Sequence, residues 1–177
     1  MQLKVAGMLD CSVTDGPGVR AVVFTQGCPH GCPGCHNPQT HDPNGGQWLD
    51  VWELAAKLCR HKGLRGVTFS GGEPFLQARA LAGLAAALKA KGLNIMIYTG
   101  YTYEELAQRA TGDAAVAALL AVGDVLIDGV YVQEERDLAL AYRGSRNQRI
   151  IDLPATISSG NVVLSPMHYF GLVQVYA

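Results

Sequence analysis

The sequence predicts an α/β fold made of parallel βα units, too few of them to close a barrel. Three observations carry this. Short apolar runs alternate with stretches of helical period from Val19 to Asp128, which is the signature of strands joined by helical crossovers. Glycine-bearing turns follow the ends of those runs. At 177 residues the chain is too short for the eight units of a closed barrel, which take about 250 residues.

Gln2 to Met8 alternates like a strand and directly follows Met1, without the apolar run of a signal peptide. Val19 to Gln26 reads as a buried strand. Asp50 to Lys62 reads as a helix, with Asp50 near its N-cap, Gly63 just past its end, and Val51, Leu54, Ala55 and Leu58 at helical spacing. Cys59 lies at the edge of that apolar face and is read as a core residue. Gly66 to Ser70 is the next strand. Leu76 to Lys91 is a helix with Leu81, Leu84 and Leu88 on one face and Gly92 as its stop. Asn94 to Thr99 is a strand, and a helix starts near Thr102 with Glu105 at capping-box spacing. Asp113 to Ala121 is helical and leads to a strand at Val125 to Asp128. In the stretch 154–177, Val162-Val163-Leu164 and Leu172-Val173-Gln174-Val175 are strand-like runs. The whole chain, 1–177, is expected to form a single domain, with 154–177 as a C-terminal extension.

Composition sets limits on function. Hydrophobic residues make up 49% and charged residues 16%, as in a globular soluble protein. A net charge of -1 makes no electrostatic case for nucleic acid or an anionic membrane, and no apolar run reaches spanning length. Five cysteines, three of them between positions 28 and 35, fit a secreted disulfide framework poorly. A reducing cytoplasm is the expected location.

The chemistry gathers after the Val19 strand, in Cys28-Pro29-His30-Gly31-Cys32-Pro33-Gly34-Cys35-His36-Asn37. The spacing is C-x3-C-x2-C. Three thiolates hold three corners of a [4Fe–4S] cube and leave one iron open, whereas ferredoxin frameworks supply four. From the spacing alone, two other readings stay open. Zinc would take its fourth ligand from His30, His36 or His41, and a disulfide loop would require an oxidising compartment. One βα unit later comes Gly71-Gly72-Glu73-Pro74, which alone is a weak motif, since glycines after a strand usually make a turn. Here, two residues without side chains let a ligand approach the backbone, and Glu73 offers a carboxylate to an ammonium. The cysteine loop, Gly71-Gly72-Glu73, Thr99-Gly100 and Asp128-Gly129 all fall at the C-terminal ends of predicted strands, where parallel α/β proteins keep their sites.

The cysteine spacing followed by G-G-E-P resembles the radical S-adenosylmethionine superfamily. The resemblance implies a radical SAM core, here an incomplete barrel of the TIM type, with Cys28, Cys32 and Cys35 as cluster ligands and Gly71, Gly72 and Glu73 against the S-adenosylmethionine. It also implies reductive cleavage of that cofactor to a 5′-deoxyadenosyl radical, with the protein supplying placement and exclusion of water. Many members carry an aromatic residue where this chain has Gly34; glycine keeps the backbone contact to adenine and loses ring packing. His36 and Asn37 follow the last cysteine as in several glycyl-radical-enzyme activases and are candidate cofactor contacts, as is Thr99 in Tyr98-Thr99-Gly100-Tyr101.

Asp15-Gly16-Pro17-Gly18-Val19-Arg20 resembles the D-G-P-G-x-R signature of those activases. Asp128-Gly129-Val130-Tyr131-Val132 and Arg143-Gly144-Ser145-Arg146-Asn147-Gln148-Arg149 resemble the activases of anaerobic (class III) ribonucleoside-triphosphate reductases. The likeness runs from about Asp10 through Ile151. It implies a protein substrate, the glycyl radical subunit of such a reductase, and a flavodoxin-like electron donor. Asp15, Arg20, Arg143, Ser145 and Asn147 match the activase-specific patterns and are expected to contact that partner. No acid–base pair is required. The ferredoxin-like insert of several other activases needs two further cysteine quartets, and Cys11 and Cys59 cannot build one. The rivals are an activase of another glycyl radical enzyme, a small-molecule enzyme such as 7-carboxy-7-deazaguanine synthase, and a non-catalytic zinc or Fe–S module.

Overall fold

A computed structural model describes residues 1–171. Among the described residues seven strands make one sheet: β1 (Gln2–Ser12), β2 (Arg20–Thr25), β3 (Gln47–Asp50), β4 (Gly66–Gly71), β5 (Asn94–Tyr98), β6 (Val125–Asp128) and β7 (Arg149–Asp152), in the order β3-β1-β2-β4-β5-β6-β7. The parallel arrangement expected throughout holds for β2, β4, β5 and β6 only. β1 runs antiparallel to both β2 and β3, and β7 runs antiparallel to β6. The connections explain the difference. The parallel strands are joined through α1 (Val51–Arg60), α2 (Ala78–Lys89), and the pair α3 (Tyr103–Ala110) and α4 (Ala114–Val122). No α-helix lies between β1 and β2 or between β6 and β7, and without a crossover the chain returns antiparallel.

Local signals start the helices where the sequence predicts. Asp50 accepts from the Trp52 and Glu53 N–H groups, Thr102 and Glu105 form a full capping box, and Asp113 caps α4. The helix expected from Leu76 starts at Ala78, because Pro74–Gln77 winds as a 3-10 turn capped by Glu73. Two strands and one helix were not foreseen. β3 is four residues long and carries no apolar run. β7 starts inside the basic motif. α5 (Leu153–Ser159) carries Pro154 in its first turn, where the missing N–H costs nothing.

Strand alternation divides the sheet into two unlike faces. Ala21, Val23, Val67, Phe69, Ile95, Ile97, Leu126 and Ile151 point into the main core, against helix residues including Leu54, Leu81, Leu84 and Leu119. Cys59 packs at its margin, as read from the sequence. The other face carries Met96, Ile127 and Ile150, which pack with Ala141 and Tyr142 from the loop at 129–148 and with Met167 from a 3-10 turn, rather than with any α-helix. A hollow lies on this face without α-helices.

Arg20 lies under that hollow and is 1% exposed. Its guanidinium donates to Thr68 Oγ1 (2.9 Å), the Val67 carbonyl (2.9 Å) and the Asn94 carbonyl (3.1 Å). Thr68 in turn donates to the Asp15 carbonyl at 2.6 Å. Burial pulls the Arg20 pKa down to about 10, which still leaves it charged near neutrality. The D-G-P-G-x-R stretch is thus a floor stapled across β4 and β5. Arg20, expected to contact the partner, spends these donors inside the chain.

In the C-terminal stretch, residues 162–164 extend the sheet beside β7, with the Asp152 N–H donating to the Val163 carbonyl (2.9 Å) and the Ser165 N–H to the Ile150 carbonyl (2.8 Å). The Leu172 to Val175 run lies outside the described residues. Among the described residues no helix is long and apolar enough to cross a membrane.

Candidate functional site

The hollow holds a cavity of about 570 Å³ at the C-terminal ends of β2, β4 and β5, a size suited to a small-molecule ligand. Cys28, Cys32 and Cys35 all line it, and so do Gly71, Gly72, Thr99 and Gly100 from the turns after β4 and β5.

The cysteine loop is closed at its base by backbone bonds from the Gly27 N–H to the Thr40 carbonyl (2.8 Å) and from the Cys28 N–H to the His41 carbonyl (3.2 Å). Within it the Cys35 N–H donates to the Cys32 carbonyl (3.2 Å), and the Asn37 N–H donates to Cys35 Sγ at 3.4 Å. Burial pushes the Cys28 thiol up; Glu73 and the other two thiols add to this, against a backbone N–H from His30 that pulls it down. A bound cation reverses such a shift, since thiolate ligands are deprotonated by the metal they hold. Among the described residues no three His, Cys, Asp or Glu side chains gather at the distances of a single metal ion. Three soft thiols spread around one cavity suit a polynuclear iron–sulfur group. His30, weighed above as a fourth zinc ligand, places Nε2 at 2.9 Å from Glu73 Oε2.

Glu73 departs from expectation. It is fully buried and is absent from the cavity wall. Oε1 accepts from the Phe75 N–H (2.9 Å), Oε2 accepts from the Gly100 N–H (2.9 Å), and the Thr99 hydroxyl lies 2.9 and 3.0 Å from the two oxygens. With His30 added, the carboxylate is saturated by protein donors. Glu73, expected to pair with an ammonium, is thus the common acceptor for the turns that face the cavity. Gly72 needs its missing side chain, since a Cβ there would stand 2.2 Å from the Gly27 carbonyl. The Gly72 and Glu73 N–H groups bond the Thr25 and Gly27 carbonyls, both at 2.8 Å, which ties this turn to the root of the cysteine loop.

Gly34 has φ +70°, and the room for a side chain is taken by Gln133, whose Oε1 would lie 2.4 Å from a Cβ. Gly34 is not on the cavity wall, whereas His36 and Asn37 are. The His36 ring leans on Tyr131, with centroids 5.0 Å apart. Residues 129–135 thus cover the cysteine loop.

The two activase-like motifs interlock as one unit. Arg149 bonds both Asp128 oxygens and spans to Glu104 at 3.0 and 2.7 Å. These bonds raise Arg149 above its ordinary value and lower Glu104 below its own. Gln148 accepts from the Gly144 and Ser145 N–H groups (2.9 and 3.3 Å) and donates to the Gly129 carbonyl (3.0 Å). Ser145 Oγ accepts from the Val132 N–H at 3.2 Å, and Asn147 Nδ2 donates to the Val130 carbonyl at 2.8 Å. Ser145, expected to contact the partner, is completely buried and helps to hold this loop. Asn147 is exposed. Arg143 and Asp15 reach the cavity wall.

Two features escaped the sequence reading. Tyr142, in the cavity wall, is the one non-glycine residue at positive φ (57°) among the described residues, and its carbonyl accepts from the Tyr98 hydroxyl at 2.7 Å. Strain of this kind collects at functional sites, but no local pattern announces it. His168 is the other: Arg143 donates to its carbonyl (2.6 Å), and the Ile150 N–H donates to its Nδ1 (3.2 Å). Burial, then Arg143 and Arg149, lower the His168 pKa. The unfolded chain therefore takes up this proton more readily. The His168 contribution is whole above the ordinary histidine value of about 6.5 and is lost as pH falls through the lower folded value. Thermal unfolding of wild type and His168→Gln across that window is expected to show a steeper acid loss in the wild type; identical slopes would reject the assignment.

Comparison with known proteins agrees with this geometry. A family described as "4Fe-4S single cluster domain" matches residues 14–151. The anaerobic ribonucleoside-triphosphate reductase-activating protein of Vibrio cholerae is 36% identical over 146 residues, covering 78% of this chain and 90% of that protein. The chain belongs to this family of activating proteins. A pyruvate formate-lyase-activating enzyme from Clostridium pasteurianum is 45% identical over 106 residues, covering 56% of this chain and 44% of that one. Among solved structures, QueE of Escherichia coli aligns with a TM-score of 0.46 at 23% identity, over 58% of this chain and 54% of that chain. Family membership brings a [4Fe–4S] cluster and S-adenosylmethionine as cofactors.

Proposed function

We propose that this family member is the activase of an anaerobic ribonucleoside-triphosphate reductase and places a glycyl radical on that partner. One observation carries the reading: three thiols and two glycine-bearing turns, from three different βα units, line a single cavity. Cys28, Cys32 and Cys35 would hold the cluster. Gly71, Gly72, Thr99, His36 and Asn37 would border the S-adenosylmethionine, with Glu73 ordering the turns behind them. When bound, the two groups supply reductive cleavage of the sulfonium and abstraction of a Cα hydrogen from the partner's glycine. The chain's own part is to orient them and keep water away. A flavodoxin-like donor and a cytoplasmic location complete the reading; five free cysteines among the described residues support a reducing compartment.

The sheet is read as an incomplete barrel of the TIM type. Its edge strand β3 is paired on one side only within the described sheet, while residues 162–164 bond the outer side of β7; the unpaired β3 edge supports an opening that admits a protein segment. Asp15 and Arg143 at the cavity wall, and Asn147 on the exposed loop, would meet that segment.

Anaerobic reconstitution tests the function. The reduced protein should show a cluster EPR signal that changes on adding S-adenosylmethionine, and a glycyl doublet should follow on adding the reductase. Retained zinc with no cofactor cleavage would reject the reading. The identity to a pyruvate formate-lyase-activating enzyme favours, as a second reading, a different glycyl radical enzyme as partner. A doublet on that enzyme and none on the reductase would select it.

Arg143→Ala separates docking from cofactor chemistry. Its Nη1 also donates to the Gln148 carbonyl at 3.1 Å, so the loop should loosen without touching the cysteines. Cofactor cleavage without partner is expected near the wild-type rate, and glycyl radical yield is expected to fall about tenfold or more, as for loss of a charge-assisted contact. Equal loss of both activities would place Arg143 in the cofactor site instead.

A further inference from the structure

His30 stands between two of the cysteines, yet its ring is committed to the turns after β4 and β5. Nε2 lies 2.9 Å from Glu73 Oε2, and because a carboxylate only accepts, the ring is the donor. Its edge meets Tyr101 at a centroid distance of 4.7 Å and an interplanar angle of 72°. It also lies flush on Gly100, where an added Cβ would stand 2.3 Å from His30 Cδ2. The His30 side chain is 14% exposed and Glu73 is fully buried.

The origin of the donors to Glu73 gives this contact its meaning. Phe75, Thr99 and Gly100 belong to the turns after β4 and β5. His30 belongs to the cysteine loop. The Glu73 N–H, bonded to the Gly27 carbonyl, holds only the start of that loop. We propose that His30 is a positioning residue that latches the cysteine loop to the Glu73–Thr99–Gly100 turns and so sets the distance between the cluster and its cofactor. The assignment rests on the cluster-and-cofactor reading above. His30 itself lines the cavity, and it acts through its bond to Glu73.

Two variants separate the latch from simple space-filling. His30→Leu keeps an apolar body and removes the donor; His30→Gln offers an amide N–H near the position of Nε2. Both keep all three cysteines, so iron and sulfide content after anaerobic reconstitution should match wild type. Titration with S-adenosylmethionine should show His30→Leu roughly ten- to a hundredfold weaker, the range of one charge-assisted hydrogen bond. The EPR change that the cofactor induces in the reduced cluster should be lost or altered in the same variant. His30→Gln should recover affinity to within about threefold of wild type, as expected when a donor is restored. Wild-type affinity in His30→Leu overturns the assignment. So does an equal loss in both variants, since the donor would then not matter, and so does loss of iron from His30→Leu, which would make His30 a cluster-holding residue. Wild-type protein that takes up iron and never binds the cofactor overturns the functional reading, and this assignment with it.

Discussion

Replacing Cys28, Cys32 or Cys35 singly by Ala is expected to abolish stable cluster binding and, with it, all cofactor cleavage. Each supplies one corner of a three-thiolate site, and the described chain gathers no alternative set of three metal-binding side chains around a single ion. Their cavity wall has no spare thiol: Cys11 is exposed, and Cys59 packs at the margin of the helix-side core. Cys11→Ser and Cys59→Ser should therefore retain both properties. Cys59→Ser should cost some stability, about 1 kcal/mol for a half-buried sulfur exchanged for a hydroxyl. Iron analysis and anaerobic cleavage assays check the set. Retained cleavage in Cys32→Ala would end the cluster assignment.

The second large effect is expected at Glu73, and on the fold as well as on the cofactor. In Glu73→Ala the Phe75 and Gly100 N–H groups, the Thr99 hydroxyl and His30 all lose their acceptor, with Phe75 cut off from solvent and the other three at the cavity wall. Each buried unsatisfied donor costs about 1–3 kcal/mol, and partial relaxation brings the sum to on the order of 3–5 kcal/mol. For a domain of this size that lowers Tm by about 10 °C. Affinity for S-adenosylmethionine should fall together with Tm, because the Thr99–Gly100 turn loses its anchor. Glu73→Gln, which keeps one acceptor oxygen, should lie between. Calorimetry on the metal-free proteins isolates the fold term from the cofactor term. An unchanged Tm in Glu73→Ala with weakened binding would return Glu73 to the direct ammonium contact read from the sequence.

The core strands β2, β4, β5 and β6, the helix caps and the cysteine loop were legible in the sequence because each is a local property. Periodicity, a capping residue or a thiol spacing is complete within a few positions. The convergence of the cysteine loop, Gly71-Gly72 and Thr99-Gly100 on one rim was legible too, because parallel βα units place every strand's C-terminal end on the same side. What the tertiary structure alone decided concerns groups that meet across long stretches of chain. Arg20 reads as a basic residue beside a turn and becomes a buried staple, because Thr68, Val67 and Asn94 converge on it from 47 to 74 positions away. Glu73 reads as a free carboxylate and is saturated by donors 26, 27 and 43 positions distant. The basic run from Arg143 reads as a solvated docking loop, yet Gln148, Ser145 and Asn147 fasten it to the stretch after β6. A sequence shows which polar atoms a residue carries. Which of them remain available to a ligand depends on the partners that folding brings within hydrogen-bond reach, since a buried donor or acceptor is stable only when paired.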